Sequence, residues 1–213
     1  MLRLREARTG QVVGVRSGPL RLYVQVPGDL RVCLTADLLR RLAPRLRRPT
    51  LSTAAQDADH TPWNIPPLDA GDPLPGALSV GNVTSGGDVV CGPWTAPSDV
   101  PGDPLALRLA LFARHYADEV EITPDDLAVH AGTLDRWRRA LARWATEPSK
   151  APAPAYAEGT LAALCDDLDT PAALTLLDRL TEDVTIPPGA RLETALQLDQ
   201  ILALDLPRAI GTL

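Results

Sequence analysis

The sequence predicts a mostly α chain: a reduced α/β segment with Pro-rich loops over residues 1–103, then an α-helical bundle over residues 104–213. Three observations lead there. Leu20 to Val26 alternates loosely in polarity between Gly18-Pro19 and Pro27-Gly28, the pattern of a strand bounded by turns. Residues 60–104 are crowded with proline, which lacks a backbone donor and blocks regular elements. From Pro104 onward apolar residues recur at helical spacing. Aromatic residues make up only 4% of a chain that is 45% hydrophobic, so the core must be built of Leu, Ala and Val. Such cores favour helices, where straight-chain residues lose little rotamer freedom.

Taken in order, Leu2 to Val13 and Gly18 to Gly28 supply the first strands. Thr35-Ala36-Asp37 is predicted to cap a helix with Leu38, Leu39, Leu42 and Leu46 on one stripe, ended or kinked by Pro44. Leu51 to Ala58 is a short strand or a loop. Between His60 and Pro104, where Pro62, Pro66, Pro67, Pro73, Pro75, Pro93, Pro97 and Pro101 fall, only short strands near Ala77–Val80 and Val89–Cys91 are expected. Leu105, Leu109, Phe112 and Tyr116 form the stripe of the first bundle helix. The second starts at Pro124, with Thr123 as N-cap and Asp125 and Asp126 at its positive end. Its buried face is Leu134, Trp137, Leu141 and Trp144. Pro148 to Pro154 is a linker. A third helix runs from Tyr156 to about Asp167, a fourth is capped by Thr170-Pro171, and a fifth covers Leu192 to Leu204. Short connections between amphipathic helices give a bundle.

The formal charge of −6 argues against nonspecific nucleic-acid affinity, which rests on neutralising phosphates. The average hides an asymmetry. Residues 1–50 carry eleven arginines against Glu6, Asp29 and Asp37, a net of about +8, so the remainder is strongly acidic. Arginine supplies nearly all the positive charge, with Lys150 the only lysine; GC-rich coding explains such a bias without function. Cys33, Cys91 and Cys165 are far apart and form no CxxC pair, so neither a zinc ribbon nor a disulfide framework is expected. No apolar run reaches membrane-spanning length, and no signal peptide is read at Met1 to Glu6. A cytoplasmic location is expected.

Asp103-Pro104-Leu105-Ala106-Leu107-Arg108, followed by an apolar run and His115-Tyr116, resembles the start of the helical half of cysteinyl-tRNA synthetases and of the related ATP-dependent cysteine ligase of mycothiol biosynthesis. Asp166-Asp167-Leu168-Asp169-Thr170-Pro171-Ala172-Ala173-Leu174 is similar to the signature opening a later helix of the same bundle. The N-terminal strands agree, so three matches in the family's order cover most of the chain. The resemblance implies a remnant of the class I synthetase nucleotide-binding fold, Rossmann-like, ahead of a bundle of the anticodon-binding type. The catalytic middle expected between these parts is mostly absent.

The family's motifs are degenerate here. Gln25 stands where the family has a zinc-binding cysteine, and an amide is a poor zinc ligand beside thiolate or imidazole. The other zinc ligands have no counterpart. The His-Ile-Gly-His motif, whose histidines hold ATP phosphate at a helix N-terminus, is replaced by Pro27 to Cys33. Arg31 is read there as a solvated loop arginine, with phosphate binding the alternative. The Lys-Met-Ser-Lys-Ser loop is matched by Pro75 to Asn82: Ser79, Gly81 and Asn82 agree, but Pro75 and Leu78 occupy the lysine places. Donors of this kind are each worth about 10²–10³ in rate. The expectation is no zinc, no ATP and no metal site. His60 to Asp69 matches the family's Asn-Ile-Thr-Asp strand end only at Asn64, Ile65 and Asp69.

Other candidates are read structurally. His115 is a satisfied histidine with no base-orienting acid near it in sequence, and His130 is a helix-surface residue. His60, beside Asp57 and Asp59, lacks diagnostic metal spacing. Asp166, Asp167 and Asp169 are acids favoured before a helix N-terminus, with paired-carboxylate catalysis the alternative. Cys91 and Cys165 have no base beside them. Arg40, Arg41 and Arg45, with Arg47 and Arg48, form one basic patch, and Arg136, Arg139 and Arg143 another; each is a solvated face or a contact for RNA or a partner. Neither has interleaved exposed aromatics for base stacking. The expected function is that of a catalytically defective paralogue acting by binding or regulation, with tRNA or a protein as partner and homo- or hetero-oligomers allowed. The alternatives are an ATP-dependent amino-acid ligase whose site is rebuilt or shared with a second chain, and a scaffold pairing with a full-length relative. Function lives in sites rather than folds, so a stripped site does not inherit the family's activity.

Overall fold

A computed structural model describes residues 1–100 and 102–212. Pro101, one of the prolines of the loop-rich stretch, and Leu213 lie outside the described residues. The chain opens with an antiparallel hairpin, β1 (Arg3–Arg5) on β2 (Val12–Gly14), and enters β3 (Leu20–Val24). Leu20, Leu22 and Val24 point inward from β3, as the alternation predicts. Helix α1 (Leu30–Leu42) then crosses to β4 (Thr50–Ala54), which pairs parallel with β3. A small antiparallel pair follows, β5 (Ala58–His60) with β6 (Ile65–Leu68). The chain returns to the far side of β3 as β7 (Leu78–Asn82), and β8 (Val89–Cys91) completes a four-stranded parallel sheet of order β4-β3-β7-β8.

Helix α1 begins six to eight residues earlier than the sequence predicts. Asp29, not the Thr35–Asp37 stretch, is the N-cap, and its carboxylate accepts from the N–H groups of Arg31 and Val32. Thr35 and Asp37 are instead buried inside the helix. The reason is packing on two sides: α1 lies against β3, β7 and β8 on one face and against α6 (Pro188–Leu202) on another. A simple one-stripe pattern does not describe such a helix. The α-helix stops at Leu42, and Pro44 sits in the first turn of a 3-10 segment, Ala43–Leu46.

The second half starts with β9 (Trp94–Thr95), α2 (Leu105–Phe112) and β10 (Val120–Glu121), with β10 parallel to β9. Helix α3 (Pro124–Trp144) starts where predicted, and a capping box of Thr123 and Asp126 closes its N-terminus. Helices α4 (Pro154–Cys165) and α5 (Thr170–Glu182) pack on each other, and α6 lies against α1, α3, α4 and α5. Asp169, one residue before the predicted Thr170, caps α5 by accepting from Ala172 N at 2.9 Å. His115 and Tyr116 fall in the turn after α2 rather than on the helix. One continuous core runs from Leu2 through the sheet and α1 to Leu206, so the two sequence-defined segments share their interior. Among the described residues, no helix is long and apolar enough to cross a membrane.

Candidate functional site

In an open parallel sheet, ligands bind beyond the C-terminal strand ends where the strand order reverses. Here that point lies between β3 and β7, because the chain goes from β3 outward to β4 and then back across to β7. The N-terminus of α1 faces it, and free N–H groups there would suit an anion. They are not free. Asp29 Oδ1 accepts from Arg31 N at 3.0 Å and from Val32 N at 3.4 Å. The same oxygen accepts from Trp94 Nε1 at 2.9 Å, and Oδ2 accepts from Asn82 Nδ2 at 3.0 Å. A half-buried carboxylate of the chain itself therefore sits at the positive end of the helix, clasped from β7 and β9.

The motif positions surround this carboxylate. Asn82 also accepts from Thr84 N and Ser85 N, which folds the turn after β7. Gly81 is tightly covered by Gly86, Ser85 and Gln25, leaving no room for a side chain. The Gln25 amide nitrogen, in its satisfied orientation, donates to Gly86 O at 2.8 Å, so Gln25 braces that turn. Ser79 lies further back along β7, where its hydroxyl and N–H donate to Asp88 Oδ2 at 2.7 and 2.8 Å. Among the described residues no three His, Cys, Asp or Glu side chains gather as a metal-binding group.

Arg31 is neither solvated nor in a loop. It lies inside α1, 2% exposed, and its guanidinium donates to the carbonyls of Gly92, Pro93, His115 and Asp118. Both its Nη groups go to these carbonyls and its Nε is buried without a partner, so the side chain ties α1 to the two connections flanking α2. Burial draws its pKa below the ordinary arginine value.

The N-terminal basic patch is also largely engaged. Arg40 and Arg41 both pair with Asp37, at 2.7 and 2.8 Å, and Arg45 bonds to Gln200 of α6. Asp37 itself pairs with Arg108 at 2.8 Å, both side chains fully buried. Arg108 is the arginine of the Asp103–Arg108 motif, and its other donors meet the carbonyls of Leu202 and Trp63 at 2.8 Å. Burial alone would push Asp37 up, but the charges of Arg108 and Arg41 and the bonds from Arg40 and Arg108 leave it below the usual carboxylate range. On α3, Arg136 pairs with Asp178 at 2.7 Å, while Arg139 and Arg143 are exposed.

The two helical-half motifs meet in space. Asp167 accepts from Tyr116 OH at 2.8 Å and from Arg5 N at 2.6 Å, and His115 Nε2 lies 2.8 Å from its carbonyl and 3.3 Å from Oδ2. Asp167 is thus no helix-capping acid; it holds a left-handed φ of 59° and joins β1, the turn after α2 and α5. The acid that orients His115 arrives from 52 positions away. Sequence reasoning also missed Asp29, Asp37 and Arg108. Only Asp29 carried a local signal: a Gly-Asp step directly before an apolar run is an N-cap pattern.

No protein-family model matches the chain. It is 48% identical over 77 residues to the L-cysteine:1D-myo-inositol 2-amino-2-deoxy-alpha-D-glucopyranoside ligase of Streptomyces griseus, which covers 36% of this chain and 18% of that protein. The ligase of the same name from Thermobispora bispora is 45% identical over 76 residues, again 36% and 18%. That from Kribbella flavida is 39% identical over 104 residues, 49% of this chain and 25% of the relative. The chain thus spans a quarter or less of the length of these curated relatives. Over the matched segment the chain is similar to these mycothiol cysteine ligases, which are cysteinyl-tRNA synthetase-like class I enzymes.

Proposed function

We propose that this chain is a non-adenylating member of the ligase group that acts by binding or regulation. The observation that carries the reading is the clasped carboxylate of Asp29 at the α1 N-terminus. A nucleotide phosphate placed there would lose the helix N–H donors to Asp29 and meet its negative charge. The chain offers nothing to compensate: Arg31 is turned inward, and Pro75 and Leu78 stand in the lysine places. The residues present fit neither ATP at this end of the sheet nor zinc at Gln25, which braces a turn instead. No catalytic step is assigned through either group.

Binding falls to the helical half, and a tRNA or another protein is the partner class we favour. Support comes from Arg139 and Arg143, exposed on one side of α3. The test is cysteine-dependent ATP–pyrophosphate exchange, with calorimetric titration of a nonhydrolysable cysteinyl-adenylate mimic beside it. We expect no exchange above background and no heat from the mimic. Exchange, or micromolar binding of the mimic, would overturn the reading and point to an active ligase with a rebuilt site.

A further inference from the structure

At the opposite end of the sheet, where β3, β7 and β8 begin, a cavity of about 500 Å³ opens beneath the β1–β2 hairpin. Its floor is the buried side chains of Leu4, Leu20 and Val89, with Val15 and Leu78 on its walls. Four arginines line it: Arg5, Arg16, Arg21 and Arg48. A second cavity of about 520 Å³ shares Val15, Ser17, Pro19 and Arg48 with it and adds Arg47. This concentration of positive charge stands out in a chain of net charge −6.

Arg5, Arg21 and Arg48 are held in place, Arg16 is exposed, and none of the four is neutralised by the cavity's own acids among the described residues. Arg48 is anchored by its Nε to Gly18 O and by Nη2 to Arg16 O, both at 2.7 Å. Arg21 is anchored by Nη1 to Pro75 O at 3.1 Å, and Arg5 by Nε to Asp167 at 3.1 Å. Each anchor uses one or two of the five guanidinium donors and leaves the rest free. Two acids line the same cavity, and neither makes an ion pair with these four arginines among the described residues. Asp88 Oδ2 is taken by Ser79, and Glu6 faces Thr9 and Arg8. Partial burial, with no acid to offset it, lowers the pKa of Arg48. Like charges gathered around a low-dielectric floor repel one another and focus the field into the cavity, and an anion relieves that repulsion. Guanidinium donors match phosphate oxygens in pairs. The volume lies within the usual range for small-ligand sites, about 300–1,000 Å³.

We propose that this cavity is a binding site for a small organic phosphate, with the phosphate among Arg16, Arg21 and Arg48 and a short apolar part on Val15 and Leu78. Among the described residues no aromatic side chain lines either cavity, which disfavours stacked nucleic-acid bases as the occupant. The site is separate from the switch point and does not depend on whether the chain adenylates cysteine.

Hexyl phosphate and inorganic phosphate, titrated calorimetrically into the full chain, test it. Hexyl phosphate should bind at least tenfold tighter than inorganic phosphate, because only it reaches the apolar floor. An Arg16→Gln/Arg21→Gln double variant should weaken it tenfold or more while keeping the wild-type circular dichroism. Asp29→Asn, at the other end of the sheet, should leave its affinity unchanged. Absence of saturable binding, or binding indifferent to Arg16→Gln/Arg21→Gln, would overturn the proposal. So would loss on Asp29→Asn, which would relocate the phosphate to the switch point. Vesicles of dioleoyl phosphatidic acid separate a lipid source from a soluble one: binding to them lost in the double variant supports a headgroup, and binding to hexyl phosphate alone supports a free metabolite. Tight binding of a single-stranded oligonucleotide that hexyl phosphate fails to displace would replace the proposal with a nucleic-acid surface.

Discussion

Asp37 and Arg108 illustrate how a motif residue can be retained for packing. Both side chains are fully buried, 71 positions apart, and the pair joins α1 to α2. Removing one partner leaves a buried charge without compensation, a loss of about 3–5 kcal/mol. Asp37→Ala should therefore lower the stability measured by urea denaturation by that order, while Arg143→Ala on the exposed face of α3 should change it little. His115 supplies a pH signature. Its hydrogen bond to Asp167 outweighs burial and raises its pKa above the ordinary 6.5. A raised histidine pKa contributes stability that is complete below the unfolded value of about 6.5 and fades as pH rises through the higher folded value. Burial pushes Asp167 up, but the bonds from His115, Tyr116 and Arg5 N leave it below the usual carboxylate range, so its contribution fades only under more acidic conditions. Thermal melts between about pH 6 and 8 should show wild-type stability falling with pH, and His115→Gln should flatten that slope. An unchanged slope would remove His115 from the account.

Among the elements, α3 was the most legible. Thr123, Pro124, Asp125 and Asp126 form a complete local start signal, and the structure contains the corresponding capping box. Thr123→Ala should cost about 1 kcal/mol in denaturant titration. Helix α1 was the least legible in its start, because burial against the sheet and α6 hides the single apolar stripe that would have extended it back to the Gly28-Asp29 cap signal. The turn after β7 also depends on packing. Gly81 has no room for a methyl group against Gly86 and Ser85, so Gly81→Ala should lower the melting temperature by several degrees, as losses of about 1 kcal/mol do in domains this size. The short strands β7 and β8 appeared near their predicted places, since apolar runs between turn residues are local signals.

Across the whole molecule, the shared interior has a mechanical consequence. Arg31 fastens α1 to the turns around α2, Arg108 reaches Leu202, and Arg138 of α3 reaches the carbonyls of Leu204 and Asp205. A chain knit in this way should unfold in one step. Near-ultraviolet and far-ultraviolet circular dichroism should give coincident urea transitions. Two separated transitions would mean that residues 1–103 and 104–213 are independent domains, as the composition boundary suggested. The charge distribution permits a further check. If the partner is tRNA, reversing Arg139 and Arg143 to Glu should abolish a gel-shift complex whose affinity falls steeply with salt. Equal affinity in the variant would leave a protein as the partner class.

Residues 105–202 could be read as helices from the amino-acid order because a 3.6-residue period and its caps are properties of neighbours along the chain. The kinship could be read for the same reason, from two contiguous motifs. The roles of the motif residues could not. Asp167 meets His115, Asp37 meets Arg108, and Asp29 meets Trp94 across separations of 52 to 71 residues. Whether an arginine is a solvated donor or a buried strut depends on which carbonyls and carboxylates the folded chain brings to it. That is a fact of three-dimensional packing, and a linear pattern does not encode it locally.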